Sequence, residues 1–284
     1  MVIADPGRRR VLGGAYAEEM DRPAAREYDA LRPRYPGTAV EKVLGAANAG
    51  RAPLRIADLG AGTGILTRQL LDVGADRVGQ VHAVEPSHVM TQVLAETLDD
   101  GDETSGGQTS DGEGAGAAGS RLQIHLTTAE DTGLPEDGVD VVVVAQAWHW
   151  FEVAAVQREA HRILAVGGAM AILSNHLDTS DPWVHRLTRI MRAGDVHRPG
   201  WVPPMNPRLF AEPRTEEFTW SRRLTADQVR GLATTMSSWL SAGEKERARR
   251  RANLDWYLQE HSGLAGGDVV ELPYLTVLHT AARR

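Results

Sequence analysis

The chain has 284 residues, 42% of them hydrophobic, with a formal net charge of −7 and no cysteine. That size and apolar content suit one large domain, or a core with a small cap. The lack of cysteine excludes disulfides, thiolate catalysis and cysteine-ligated zinc, and no apolar run approaches the roughly 18 residues of a membrane helix.

Residues 1–37 are rich in Arg, Pro and Tyr and read as irregular or partly helical. Asp5 and the arginines near the start leave no apolar signal-peptide core, so a cytoplasmic location is expected. Thr38-Ala39-Val40-Glu41 reads as a capping box that opens a helix running to Gly50. Strands and helices then alternate. Strand Leu54 to Leu59 precedes helix Gly64 to Val73, and strand Gln80 to Glu85 precedes helix Ser87 to Leu98.

Residues 99–120 break the pattern. They hold Asp99, Asp100, Asp102, Glu103, Asp111 and Glu113, seven glycines, and no Lys or Arg. Such a composition cannot bury enough surface to offset its ordering entropy, so it reads as a disordered acidic insert. Removing its six charges leaves the rest of the chain near −1, which shows no global footprint for nucleic acid.

Strands Leu122 to Leu126 and Val139 to Gln146 follow, then helix Val153 to Leu164, with Val153, Val156, Ala160, Ile163 and Leu164 on one face, and strand Ala169 to Ser174. The near-continuous apolar run Val139 to Val144 suits a parallel strand covered on both faces. The alternation argues for a doubly wound sheet. Beyond Asn175 the order changes. Asp181-Pro182 opens a helix that turns Trp183, Leu187, Ile190 and Met191 inward. A Pro-rich loop spans Pro199 to Pro207, Glu217 to Arg222 reads as a strand, and Thr225 to Gln228 is a second capping box. Ser241 to Gln259 reads as a charged helix, and Val269 to Ala281 as the final strand. The run Lys245 to Arg251 is diluted by Glu244 and Glu246 and reads as a solvated helix face.

The densest chemical signal is Ile56-Ala57-Asp58-Leu59-Gly60-Ala61-Gly62-Thr63-Gly64-Ile65-Leu66. An apolar strand ends in an acid, and alternate glycines let the backbone turn sharply and approach a ligand. A second acid, Glu85, ends the next strand 21 residues after Gly64. That spacing places it to bind ribose hydroxyls, so a nucleoside cofactor is expected. The dinucleotide fingerprint fails, because its last glycine would fall at Ile65, and the P-loop pattern fails for want of Gly-Lys-Ser/Thr.

What remains, Asp-x-Gly-x-Gly-x-Gly, resembles the class I S-adenosylmethionine-dependent methyltransferases. The segment Glu85-Pro86-Ser87-His88-Val89-Met90 is similar to that family's second motif, and Ala129 to Pro135 to its adenine-side loop. Asp140 to Val144 with Gln146 to Phe151 resembles its fourth strand and active-site tip, and Arg162 to Gly168 the turn into its fifth strand. Tyr28 to Pro36 resembles the N-terminal segment of small-molecule members related to the trans-aconitate type, the methyltransferase type 11 group. The resemblance implies a Rossmann-like, doubly wound, seven-stranded α/β sheet with a C-terminal antiparallel edge strand and a small helical cap. It further implies one domain over 1–284: a segment 1–37 lying over the cofactor, a core 38–175 that binds S-adenosylmethionine, the insert 99–120, and a cap with the last two strands over 176–284.

On that resemblance, Asp58, Gly60, Ala61, Gly62 and Gly64 would meet the methionine portion of the cofactor, with Asp58 facing its ammonium group, and Glu85 and Pro86 would meet the ribose. Met90 would pack on adenine or simply fill core, and Ala129 and Glu130 would border the adenine edge. Gln146, Trp148, His149 and Trp150 would stand near the transferred methyl, with Tyr28 and Arg32 toward the acceptor; Arg32 would pair a carboxylate of the cofactor or of the acceptor, or serve as a structural cation. No Asn/Asp-Pro-Pro-Tyr stands at that tip, which argues against a nucleobase nitrogen as acceptor. His149 is either a general base or a hydrogen-bonding group that shapes the pocket. All seven tryptophans follow residue 147, which suits either a partly apolar acceptor site or the core of the cap. The ten histidines show no compact metal spacing, so no metal is expected.

The expected activity is methyl transfer to a small-molecule acceptor, with O-methylation of a carboxylate or hydroxyl favoured and neither nucleic acid nor membrane as partner. The rival is a protein that binds S-adenosylmethionine or another nucleoside without catalysis. A dehydrogenase is disfavoured by Ile65.

Overall fold

A computed structural model describes residues 20–47, 52–102, 121–191 and 198–284. Its centre is a seven-stranded sheet in the order β3-β2-β1-β4-β5-β7-β6. The strands are β1 (Leu54–Leu59), β2 (Val78–Val84), β3 (Leu122–His125), β4 (Val139–Ala145), β5 (Leu164–Leu177), β6 (Arg214–Thr225) and β7 (Val269–Ala282). The first five run parallel, and β7 runs antiparallel to both β5 and β6. The final strand is thus antiparallel, as expected, and it lies one place in from the edge, which β6 takes.

Strand residues alternate faces, so each parallel strand feeds two cores. On one face Ala57, Leu59, Val142, Val144, Met170 and Ile172 pack under α5 (Val153–Ile163), which contributes Val156, Ala160 and Ile163. On the other, Ile56, Val141, Val143, Ala171 and Leu173 pack under α2 (Gly37–Leu44) and α3 (Ile65–Asp72). Burial on both faces explains why Val139 to Val144 carries no polar alternation apart from Asp140, whose carboxylate pairs with Arg55 at 2.8 Å.

The cap forms its own core. Helices α6 (Pro182–Met191), α7 (Ala226–Thr234) and α9 (Glu244–Trp256) enclose Leu187, Val229, Leu232, Leu254, Tyr257 and Leu258 with Leu272 and Tyr274 of β7. The Thr225 capping box forms in full, and Asp181 caps α6 through the Trp183 amide at 2.8 Å. Helix α1 (Arg22–Leu31) lies against α4 (His88–Asp102), with Ala25, Met90 and Val93 between them.

Several local expectations are corrected. Thr38 does not cap α2: Pro36 stands at the N-cap, its carbonyl already accepting from Ala39 and Val40, so Thr38 lies inside the first turn. That helix ends at Gly45, before Gly50. Helix α4 continues to Asp102, so the acidic insert begins later than residue 99; the rest of it, 103–120, lies outside the described residues, as do 1–19 of the N-terminal segment. The charged helix expected over Ser241 to Gln259 starts later, as α9 after Gly243, and its end is a π-turn at Tyr257–His261; a separate short α8 (Ser237–Leu240) precedes it.

Candidate functional site

Strand order reverses between β1 and β4, and the crevice at their carboxyl ends is where ligands bind in open α/β sheets. The glycine loop sits there. Gly60, Gly62 and Gly64 all have positive φ (72°, 59° and 83°), the left-handed region that other residues enter at a cost. The three serve different contacts. A Cβ on Gly60 would lie 2.6 Å from the Ala147 methyl, and one on Gly64 would lie 2.0 Å from Leu94 Cδ1. Gly62 has open space beyond the Met90 sulfur, 3.7 Å away. So the missing Cβ atoms of Gly60 and Gly64 let the loop seat against Ala147, just past β4, and against α4, whereas that of Gly62 leaves the crevice side open. Gly64→Ala is expected to lower stability by about 1–3 kcal/mol, from left-handed strain and overpacking. An unchanged urea midpoint would show that loop and helix shift freely.

Glu85 ties this loop to the next helix. Its Oε2 accepts from the Gly62 amide and its Oε1 from the Ser87 amide, each at 2.9 Å. Burial raises its pKa, and the two amide bonds oppose that rise. Each carboxylate oxygen keeps acceptor capacity for a ligand hydroxyl.

Asp58 lies behind the loop, 1% exposed and outside the cavity lining. Its Oδ2 accepts from Thr67 Oγ1 at 2.7 Å, and its Oδ1 has no protein partner. Burial pushes its carboxyl up to about 6, against the Thr67 hydrogen bond, and the Glu85 charge adds to the rise. A carboxyl raised in the fold holds its proton more tightly there than in the unfolded chain. The associated stability is therefore present below about pH 4 and lost as pH rises through about 6. Asp58→Asn is expected to stabilise the ligand-free protein by about 1–3 kcal/mol at pH 8, with no gain at pH 4. A gain independent of pH in chemical denaturation would remove the buried charge as its cause.

A cavity of about 300 Å³ joins the loop to the opposite wall. Its lining includes Gly60, Ala61, Gly62, Glu85, Pro86, Met90, Ala129, Glu130, Gln146, His149 and Trp150, with Tyr28 and Arg32 of the N-terminal segment. Gln146 ends β4 at φ 58°, a conformation held by its amide on the Leu173 carbonyl and its Nε2 on the Asn175 carbonyl, both at 2.9 Å. A 3-10 turn, Trp148–Trp150, follows. Three residues per turn send successive side chains to different sides. His149 and Trp150 turn to the cavity, their rings 4.2 Å apart. Trp148 turns into the core, 5% exposed, and does not reach the cavity, contrary to its expected place beside the acceptor. Among the tryptophans only Trp150 lines it; Trp183 and Trp220, for example, hydrogen-bond Ser262 and Thr276 within the cap.

The N-terminal segment is tied over this cavity. Asp29 pairs with Arg68 at 2.6 Å, Tyr35 and Gln69 exchange two hydrogen bonds between the Tyr35 backbone and the amide side chain, and Asn175 donates to the Arg34 carbonyl. The Arg32 guanidinium stands 4.9 Å from the Tyr28 ring centre and reaches the Met236 sulfur. Met236 and Ser237 line the cavity from the cap, and Tyr35, Thr128 and Phe151 also line it. Sequence reasoning did not reach Met236 or Ser237, because no local pattern marks a residue brought in by cap packing; Tyr35 lay within the quoted N-terminal motif.

Residues 57–172 match the family described as "Methyltransferase domain". An uncharacterized methyltransferase of Mycobacterium tuberculosis is 31% identical over 251 residues, 88% of this chain and 90% of its own. An uncharacterized methyltransferase-like protein of Schizosaccharomyces pombe is 24% identical, covering 90% of this chain and 93% of its own. The chain belongs to the class I S-adenosylmethionine-dependent methyltransferases. Solved structures share the fold. A candidate type II methyltransferase of Anaeromyxobacter dehalogenans superposes with a TM-score of 0.59 at 22% identity, over 88% of this chain and 97% of its own. A phosphoethanolamine N-methyltransferase of Haemonchus contortus, in complex with phosphomonomethylethanolamine and S-adenosylhomocysteine, gives 0.51 at 14% identity, over 93% and 58%.

The residues of this methyltransferase fit such a cofactor. The open Gly62 edge leaves room for a close approach, Glu85 keeps acceptor capacity on both oxygens, and the unpartnered Asp58 Oδ1 contributes negative charge behind the loop. Met90, Ala129 and Glu130 form the neighbouring wall, where Glu130 also accepts from the Glu152 amide at 2.9 Å and so fixes that loop to α5.

Proposed function

We propose that the protein methylates an oxygen, carboxylate or hydroxyl, of a small-molecule acceptor, with S-adenosylmethionine held by Ala61, Gly62, Glu85, Pro86, Met90, Ala129 and Glu130. The observation that carries this reading is one cavity of about 300 Å³. Glycine backbone and a buried carboxylate line it together with Tyr28, Arg32, His149 and Trp150. Its size is that of small-molecule sites.

S-adenosylmethionine supplies a methyl already activated by its sulfonium. The chain's task is to hold the acceptor in line and exclude water, a proximity mechanism. Arg32 meets an acidic acceptor group with a charge-assisted hydrogen bond. Trp150 gives the acceptor an apolar face. His149 accepts the hydroxyl proton if the acceptor needs to lose one, and positions a carboxylate that does not.

The test is incubation with S-adenosylmethionine and a host metabolite extract, followed by mass spectrometry for products heavier by one CH₂. Products bearing an ester or methyl ether support the reading. N-methylated products, or S-adenosylhomocysteine binding with no product, replace it, the latter with the binding-only alternative.

A further inference from the structure

A second cleft lies away from the cavity and shares no residue with it. It has a volume of about 490 Å³ between α6 and α9. His185, Arg186 and Arg189 line it from α6, and Arg249, Arg250 and Asn253 from α9. On each helix these residues fall three or four apart, so two basic stripes face one another across the gap. Four guanidiniums held this close repel, and the described carboxylates answer only part of the charge. Glu246 takes Arg249 and Arg250 at about 3 Å. Asp255 takes Arg230, and Asp181 caps α6. No described carboxylate pairs with Arg186 or Arg189.

The side chains are also held in place. The Arg186 guanidinium lies over both the Trp256 and Tyr257 rings, 5.6 and 5.5 Å from their centres, and Tyr257 is itself fixed by a hydrogen bond to the Trp183 carbonyl. Arg250 is 11% exposed and donates to both Glu246 and the Ser238 carbonyl. Guanidinium forks held in this way lose little entropy when they take up a tetrahedral oxyanion.

We propose that this cleft is a binding site for a phosphorylated small molecule. A compact anion fits better than a polyanionic chain. The cleft is of small-molecule size, and Glu246, paired with Arg249 and Arg250, interrupts the basic run on α9. Asn253 adds an amide donor between the arginines, and Ile190 supplies an apolar contact for the organic part of the ligand.

The test is calorimetric titration of the full chain at physiological salt with pyrophosphate, inorganic phosphate, a short RNA oligonucleotide and anionic phospholipid vesicles. Pyrophosphate is expected to bind one to one. The double variant Arg186→Gln/Arg189→Gln should weaken it by roughly 10- to 100-fold, the scale of losing charged hydrogen bonds. S-adenosylhomocysteine affinity should stay the same, which shows that the variant is folded and separates this result from the methyl-transfer reading. Absence of pyrophosphate binding, or equal binding by the variant, overturns the proposal. Binding of RNA or vesicles without pyrophosphate also overturns it and reassigns the surface to a macromolecular partner.

Discussion

Replacing His149 with alanine is expected to lower kcat by about 10²–10⁴-fold, with affinity for S-adenosylhomocysteine unchanged. The ring stands on the 3-10 turn after β4, half-buried against Trp150 and facing the cavity. Glu85 is held by the Gly62 and Ser87 amides and not by His149, so cofactor contacts are expected to survive the substitution. If His149 takes the acceptor's proton, the parent rate should fall as acid protonates the ring, because an imidazolium cannot accept another proton. His149→Gln keeps polar bulk without basicity and should be nearly as slow as the alanine variant. A Gln variant with near-normal kcat and a flat pH profile would make His149 a positioning residue and point to an acceptor that arrives already ionised.

Glu85→Ala is expected to weaken S-adenosylhomocysteine binding by about 3–5 kcal/mol, the loss of two hydrogen bonds to a charged group. The loss has two origins. The carboxylate would accept from the ribose hydroxyls, and it already fixes the Gly62 and Ser87 amides that shape the loop. Glu85→Gln separates them, since its single carbonyl oxygen can hold only part of this set. Affinity in the parent should also fall as pH drops toward the carboxyl's raised pKa, because protonation removes the charge the hydroxyls bond to. A dissociation constant unchanged in Glu85→Ala, with the fold intact by circular dichroism, would show that the ribose is held elsewhere.

Several residues that line the cavity were legible in the sequence. Asp58, the alternate glycines and Glu85 lie at strand ends, and the positions of strand ends follow from local apolar runs. Ala129 and Glu130 were reached by motif order, and both line the cavity. The reading was weaker on the acceptor side. Trp148, His149 and Trp150 are adjacent, and only the handedness and pitch of a 3-10 turn decide which of them faces the core. The tryptophans after residue 147 suggested either an aromatic acceptor site or cap core; Trp183 and Trp220 pack in the cap, and Trp148 and Trp201 pack on the core under α5.

The sequence by itself determined the alternating α/β order, the glycine loop and the acid at the end of β2. Each is a short-range property, written in periodicity of two or 3.6 or in a residue needed at one backbone angle. Tertiary structure decided that β7 inserts between β5 and β6, that Gly60 and Gly64 serve protein packing whereas Gly62 leaves the crevice side open, that Met236 and Ser237 line the cavity, and that α6 and α9 set their arginines face to face. These depend on contacts between residues far apart in the chain. Such contacts come from burying apolar faces against one another, and that burial is non-directional: it rewards the area covered and leaves no mark at any single position of the sequence.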